Sequence, residues 1–116
     1  MKNFLRIVLI ALLVVSTGLA QTGTHNVTLN WTPSTDTGGT VNVYRALAAC
    51  STNPTFTQLK TGVAAAGPFI DTGVAVGNFC YRVTAVVGGA ESAPSNTASA
   101  TVLPQSPTNL VVTATQ

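Results

Sequence analysis

Residues 79–86 read Phe-Cys-Tyr-Arg-Val-Thr-Ala-Val. Phe79, Tyr81, Val83 and Ala85 hold one phase of a two-residue period, and Cys80, Arg82, Thr84 and Val86 hold the other. Successive side chains of a strand point to opposite faces, so this pattern predicts a strand with one face turned to a core. The same period recurs on both sides of it. Val27, Leu29 and Trp31 alternate with Thr28 and Asn30, and Val41 and Val43 alternate with Asn42 and Tyr44. Shorter strands are expected over Phe56–Leu59 and Pro68–Thr72, with a last one from about Ser95 to Val102. Turn residues at Pro33–Gly39, Ala48–Pro54 and Gly88-Gly89 punctuate the series. Short strands at this spacing predict an all-β chain folded as a two-sheet sandwich.

The front of the chain is of another kind. Lys2 and Arg6 precede an unbroken apolar run, Ile7–Val15, and Ser16–Ala20 supplies small residues. This is the pattern of a secretory signal peptide over residues 1–20, with cleavage after Ala20. The run falls well short of the roughly 20 apolar residues of a spanning helix. No Cys follows it to carry a lipid. The chain has 116 residues, so the exported part is residues 21–116, sized for one domain.

Once the signal segment is set aside, Arg45, Lys60 and Arg82 face Asp36, Asp71 and Glu91, and the formal charge balances. No basic patch remains for nucleic acid or an anionic membrane. Cys50 and Cys80 travel to an oxidising compartment, where a disulfide is the expected state and two buried free thiols the alternative. In the chain-entropy account such a bridge contributes on the order of 3 kcal/mol.

The residue inventory argues against an enzyme. His25 is the sole histidine, and Asp36, Asp71 and Glu91 are scattered over turns and strand ends without acid–base spacing. Asp71 reads as a turn former. With both cysteines joined, no metal-ligand set remains, and the Gly-Gly pairs sit in hairpin-like turns rather than a phosphate loop. No cofactor is expected. Asn26-Val-Thr28 and Asn30-Trp-Thr32 match the glycosylation sequon, a match that chance explains in so Thr-rich a chain. Trp31 is in phase with Val27 and Leu29 and is expected in the core rather than on a sugar-stacking surface. Tyr44 is expected to point outward, as a surface-contact residue.

Taken together, Val27-Thr-Leu-Asn-Trp31, Val41-Asn-Val-Tyr-Arg45 and Phe79-Cys-Tyr-Arg-Val-Thr-Ala85 followed by Glu91-Ser-Ala-Pro-Ser-Asn96 resemble strands B, C, F and G of fibronectin type III domains. The variety they resemble is common in bacterial secreted proteins, which implies a cell-surface location. The resemblance spans about Asn26 to Leu103. It implies that the loop after strand C and the start of strand F share a pole, so that Cys50 and Cys80 can meet. Phe79 stands where the family usually has a corner-forming Tyr.

The resemblance departs at the ends. A domain of this family opens with strand A, yet only Gln21–His25 separates the expected cleavage site from the strand B segment. A strand A pattern follows strand G instead. After the linker Pro104-Gln-Ser-Pro107 comes Thr108-Asn109-Leu110-Val111-Val112-Thr113-Ala114-Thr115. Leu110, Val112 and Ala114 share one phase there. Folding back into its own domain would need a link of roughly 25–30 Å, the length of an eight-residue strand. Residues 104–107 span at most ~14 Å, and their prolines favour a stiff extended form.

Three readings account for this tail. In the first, residues 108–116 are a donor strand for the vacant edge beside Val27, Leu29 and Trp31 of another copy, giving a head-to-tail homopolymer. In the second, the sequence is a fragment cut just inside the next domain of a tandem protein. In the third, the tail pairs with another edge of its own sheet. The first makes the chain a structural subunit of an extracellular filament. The others leave a secreted binding or adhesion module, with a carbohydrate or surface ligand as its partner.

Overall fold

The computed structural model describes residues 25–116, and the signal-peptide reading of residues 1–20 lies outside them. The described chain forms seven strands: β1 His25–Leu29, β2 Thr40–Ala46, β3 Thr57–Ala64, β4 Phe69–Val74, β5 Gly77–Val87, β6 Ala90–Glu91 and β7 Ala98–Val102. A one-turn 3₁₀ helix at Cys50–Thr52 is the sole helical segment among the described residues. No helix there is long and apolar enough to cross a membrane.

The strands make the expected all-β arrangement of two antiparallel sheets. One holds only β1 and β4, and the other runs β3-β2-β5, with β6 and β7 sharing the far edge of β5. The core lies between them. Val74 of β4 packs with Phe79 and Tyr81 of β5, and Val27, Leu29, Leu59, Ala100 and Val102 close around this centre. Phe79 and Tyr81 keep the core phase read from the sequence, whereas Cys80 and Thr84 of the other phase are buried too and Val83 and Ala85 only half-buried.

The β5–β6 hairpin follows from its turn residues. Gly88 and Gly89 have φ of 58° and 80°, which suits the two-residue turn that matches strand twist. Beyond β6 regular pairing stops, and the last strand, expected from about Ser95, begins at Ala98. Pro94 cannot donate to a ladder, and the pairing over residues 92–97 is carried by two serines instead. Ser92 donates its N–H to the Ala85 carbonyl at 2.8 Å and accepts the Ala85 N–H on Oγ at 2.9 Å. Ser95 does the same for Val83, at 2.8 and 3.0 Å. Regular pairing resumes only at Ala98, opposite Tyr81.

The disulfide is present. β2 and β5 pair as far as Ala46 opposite Cys80, and the loop after β2 brings Cys50 back over that point, with the two Cα atoms 5.0 Å apart. Cys80 is fully buried. With the two cysteines 30 positions apart, replacing both by Ala is expected to lower unfolding free energy by about 3 kcal/mol. Urea titration of the oxidised protein and the double variant measures the shift in midpoint. An unchanged midpoint would mean that loop closure contributes nothing to this fold.

Asp71 departs from its reading as a turn former. It lies within β4, is only 5% exposed, and accepts hydrogen bonds from two residues of the opposite sheet. Arg45 Nη1 of β2 donates to Oδ2 at 2.7 Å, and the Tyr81 hydroxyl of β5 donates to the same oxygen at 2.8 Å. Phe79 has no hydroxyl to offer, and the inter-sheet tyrosine bond is made two residues later in the same phase. Burial, then the Asp71 carboxylate, push the Tyr81 hydroxyl well above the ordinary phenol range.

Candidate functional site

β1 carries the candidate site because it pairs with β4 along one edge and, among the described residues, with nothing along the other. Val27 and Leu29 face the core but are only half-buried, while Asn26, Thr28 and Asn30 are exposed. Trp31 lies just past the end of β1. Its indole N–H donates to the Ala65 carbonyl at 2.8 Å, and its ring rests against Gly67. A Cβ on Gly67 would come within 2.9 Å of that ring, and the residue has a φ of +63° that glycine adopts without penalty. Trp31 is thus anchored on one side and half-buried.

The other side of β1 opens on a cleft of about 360 Å³. Val27–Thr32 form one wall, Tyr81–Val83 the floor, and Ser95, Asn96 and Ala98–Ala100 the opposite wall. Among the described residues β1 pairs with β4 alone. The backbone N–H and C=O groups on its free edge are therefore available to another strand. Val27, Leu29 and Trp31, the residues expected to form an acceptor, all line this cleft.

The expected donor residues lie elsewhere and are unpaired. Residues 103–116 form no strand and join neither sheet. Leu110, Val111 and Val112 are 88%, 80% and 82% exposed, and Asn109 has a φ of 58°. Ala114 is exposed too. Three consecutive large apolar side chains in water mark a contact segment more often than an idle surface. Self-pairing of the tail is not what the fold contains, and a single chain does not bring donor and acceptor residues together.

A second cluster covers the outer face of the larger sheet and was not visible in the sequence. One carboxylate oxygen of Glu91 in β6 accepts hydrogen bonds from the Thr84 hydroxyl at 2.6 Å, from the Tyr44 hydroxyl, and from Asn42 Nδ2 at 3.3 Å. Tyr44 does point outward, as expected, but its hydroxyl is committed within the sheet. The Thr84 bond, followed by those from Tyr44 and Asn42, holds the Glu91 carboxyl below its ordinary value. The same carboxylate raises the Tyr44 hydroxyl. Farther along this face the Arg82 guanidinium stacks over Phe56 at 4.1 Å.

A depressed folded-state pKa gives stability that is complete above the unfolded value and is lost as pH falls through the folded one. Acidification from neutrality to below the ordinary glutamate value of 4.5 is therefore expected to loosen the β5–β6 hairpin. Amide exchange at Val86 and Val87 reads this directly. Glu91→Gln should remove that part of the acid dependence, and unchanged acid sensitivity in the variant would place its origin elsewhere.

No protein-family model matches this chain, and none of the curated proteins compared with it matches either. Among the described residues no group of three or more His, Cys, Asp or Glu is placed to hold a metal ion. The arrangement that stands out chemically is an open strand edge above a half-covered core, together with an unpaired apolar segment of strand-forming composition.

Proposed function

We propose that this chain is a secreted, fibronectin type III-like structural subunit that assembles head-to-tail. Thr108–Thr115 of one copy adds as a strand to the free edge of β1 in the next. The observation that carries the reading is the pairing of two deficits in one molecule. β1 has an unpaired edge over half-buried Val27 and Leu29, and Leu110–Val112 has no partner for its apolar side chains.

The physical terms favour joining them. Burying Leu110 and Val112 is worth roughly 1.5–3 kcal/mol for each side chain. Each backbone hydrogen bond added along β1 contributes ~1 kcal/mol net. Ordering the tail and losing the freedom of a separate subunit offset part of this gain. Donor and acceptor are different surfaces of the same chain, so the contact is heterologous and repeats without closing, which grows a filament. The charge balance of residues 21–116 adds little repulsion between copies. The disulfide suits an exported protein, and a bacterial cell surface is the setting that the family resemblance suggests.

Electron microscopy of the exported protein in negative stain tests this reading. Thin unbranched fibres with a repeat near one domain length are expected. Compact single particles at high protein concentration would instead leave a monomeric binding module, or one unit of a tandem array in which residues 108–116 open the next domain.

A further inference from the structure

The two sheets differ in width, and part of the difference falls beside β1. The smaller sheet is β1 and β4, whereas the larger continues past β5 to β7. The inner face of β7 therefore extends beyond the strand that should cover it. Ala98 sits opposite Tyr81 and Ala100 opposite Phe79 in the β5–β7 ladder. Residues directly opposite each other in an antiparallel pair point to the same side. Ala98 and Ala100 thus share the core-facing side with two buried aromatic residues. Yet Ala98 is exposed and Ala100 only half-buried, and both line the cleft beside β1.

A strand inserted next to β1 would lie over these two residues. Its inward side chains would meet methyl groups on the β7 side and the larger Val27, Leu29 and Trp31 on the β1 side. A shallow β7 wall is what large donor side chains require, because a packed interior tolerates neither a void nor an overlap. We propose that Ala98 and Ala100 are the specificity-determining residues of the acceptor cleft: their small side chains admit Leu110 and Val112 of a second copy, and a larger residue in either place closes the cleft while leaving the domain folded. This inference rests on the strand-donation reading and adds to it which acceptor residues select the donor by size.

Two defective variants test it in combination. Ala98→Leu, at an exposed position, fills the cleft but keeps the tail, and Leu110→Asp spoils the tail but keeps the cleft. Each full-length exported variant is expected to be monomeric alone in sedimentation velocity. Mixed in equal amounts they should give a one-to-one heterodimer and nothing longer, since the tail of the first can enter only the cleft of the second. Ala100→Leu serves as an independent second plug. The thermal transition of Ala98→Leu, at an exposed position, should lie at or above that of the unaltered protein, and that of Ala100→Leu, which packs against the core, only modestly below it.

Fibres from both plugged variants, as long as those of the unaltered chain, would overturn the role of Ala98 and Ala100 while leaving strand donation standing. Loss of assembly in a plugged variant whose thermal transition has collapsed would overturn the claim that the domain tolerates the plug. An unaltered protein that stays monomeric under the same conditions would remove strand donation itself, and the size selection with it.

Discussion

Leu110→Asp is expected to abolish assembly and leave the subunit folded. Leu110 is 88% exposed in the single chain, so a carboxylate there is solvated and disturbs nothing within the domain. In the donated state the same position would lie against Trp31 or its neighbours in the cleft, without a cationic partner among the cleft-lining side chains apart from Arg82. The Arg82 guanidinium stacks on Phe56. Burying an unpaired carboxylate costs several kcal/mol, and the lost apolar burial adds to it. A penalty of about 4 kcal/mol weakens each subunit contact by about three orders of magnitude. Deleting residues 107–116 should do the same by removing the donor altogether. Sedimentation velocity across a concentration series, with the thermal transition as the folding control, reads both variants. Normal fibres from either would rule out the tail as donor.

The effect on the domain and the effect on assembly separate because the tail contributes nothing to the core of its own chain. That follows from the central packing of Val74, Phe79 and Tyr81, which draws on β1, β3, β4, β5 and β7 and on no residue after Val102. The half-burial of Val27 and Leu29 belongs to the same picture, as residues in core phase on a strand that pairs with β4 alone among the described residues. Hydrogen exchange offers a related view, since edge-strand amides with few buried contacts open at low free energy.

Much of this was legible from period-two alternation. The phase of Phe79 and Tyr81 puts them in the core, the phase of Val27 and Leu29 turns them toward it, and two cysteines in an exported chain point to the Cys50–Cys80 bridge. What escaped was the work done by polar residues. Pro68–Thr72 reads as strand and Asp71 as a turn former on its turn-favouring chemistry, whereas in the fold Asp71 lies within β4. The phase held the answer. Arg45 follows Val41 and Val43, and Tyr81 follows Phe79, so a cation and a hydroxyl were both turned inward and needed an acceptor between the sheets. Ser92 and Ser95 escaped for a different reason, since side-chain pairing around Pro94 has no periodic signature. The sequence pattern marks a short strand over Phe56–Leu59, and pairing with β2 carries β3 on to Ala64. The narrow smaller sheet could be anticipated only through the displaced strand pattern after Pro107.

Asp71→Ala is expected to be the most damaging single change to the stability of the domain. One carboxylate oxygen of a 5% exposed residue holds both the Arg45 guanidinium and the Tyr81 hydroxyl. Removing it strands a buried hydroxyl and leaves a cation facing a hydrophobic interior. Breaking a buried ion pair by deleting one partner costs about 3–5 kcal/mol, and the partial exposure of the Arg45 side chain, 27%, sets the expectation at the lower end of that range. For a domain of this size each kcal/mol shifts the thermal midpoint by about 4–8 °C. The variant should therefore melt at least about 12 °C below the unaltered protein. Tyr81→Phe keeps the ion pair and loses one hydrogen bond to a carboxylate, so about 1.5–3 kcal/mol is expected. The two effects should not add, because Asp71 removal already forfeits the tyrosine bond. A pH profile tests the same triad independently. Tyr81 titrates higher in the folded protein than its ordinary value of 10.0, so it supports the fold below that pH and ceases to as pH rises beyond it. Stability should decline above pH 10 in the unaltered protein, and Tyr81→Phe should flatten that limb. If Asp71→Ala melts within a few degrees of the unaltered protein, the sheets are held together by apolar packing alone and the triad is incidental to it.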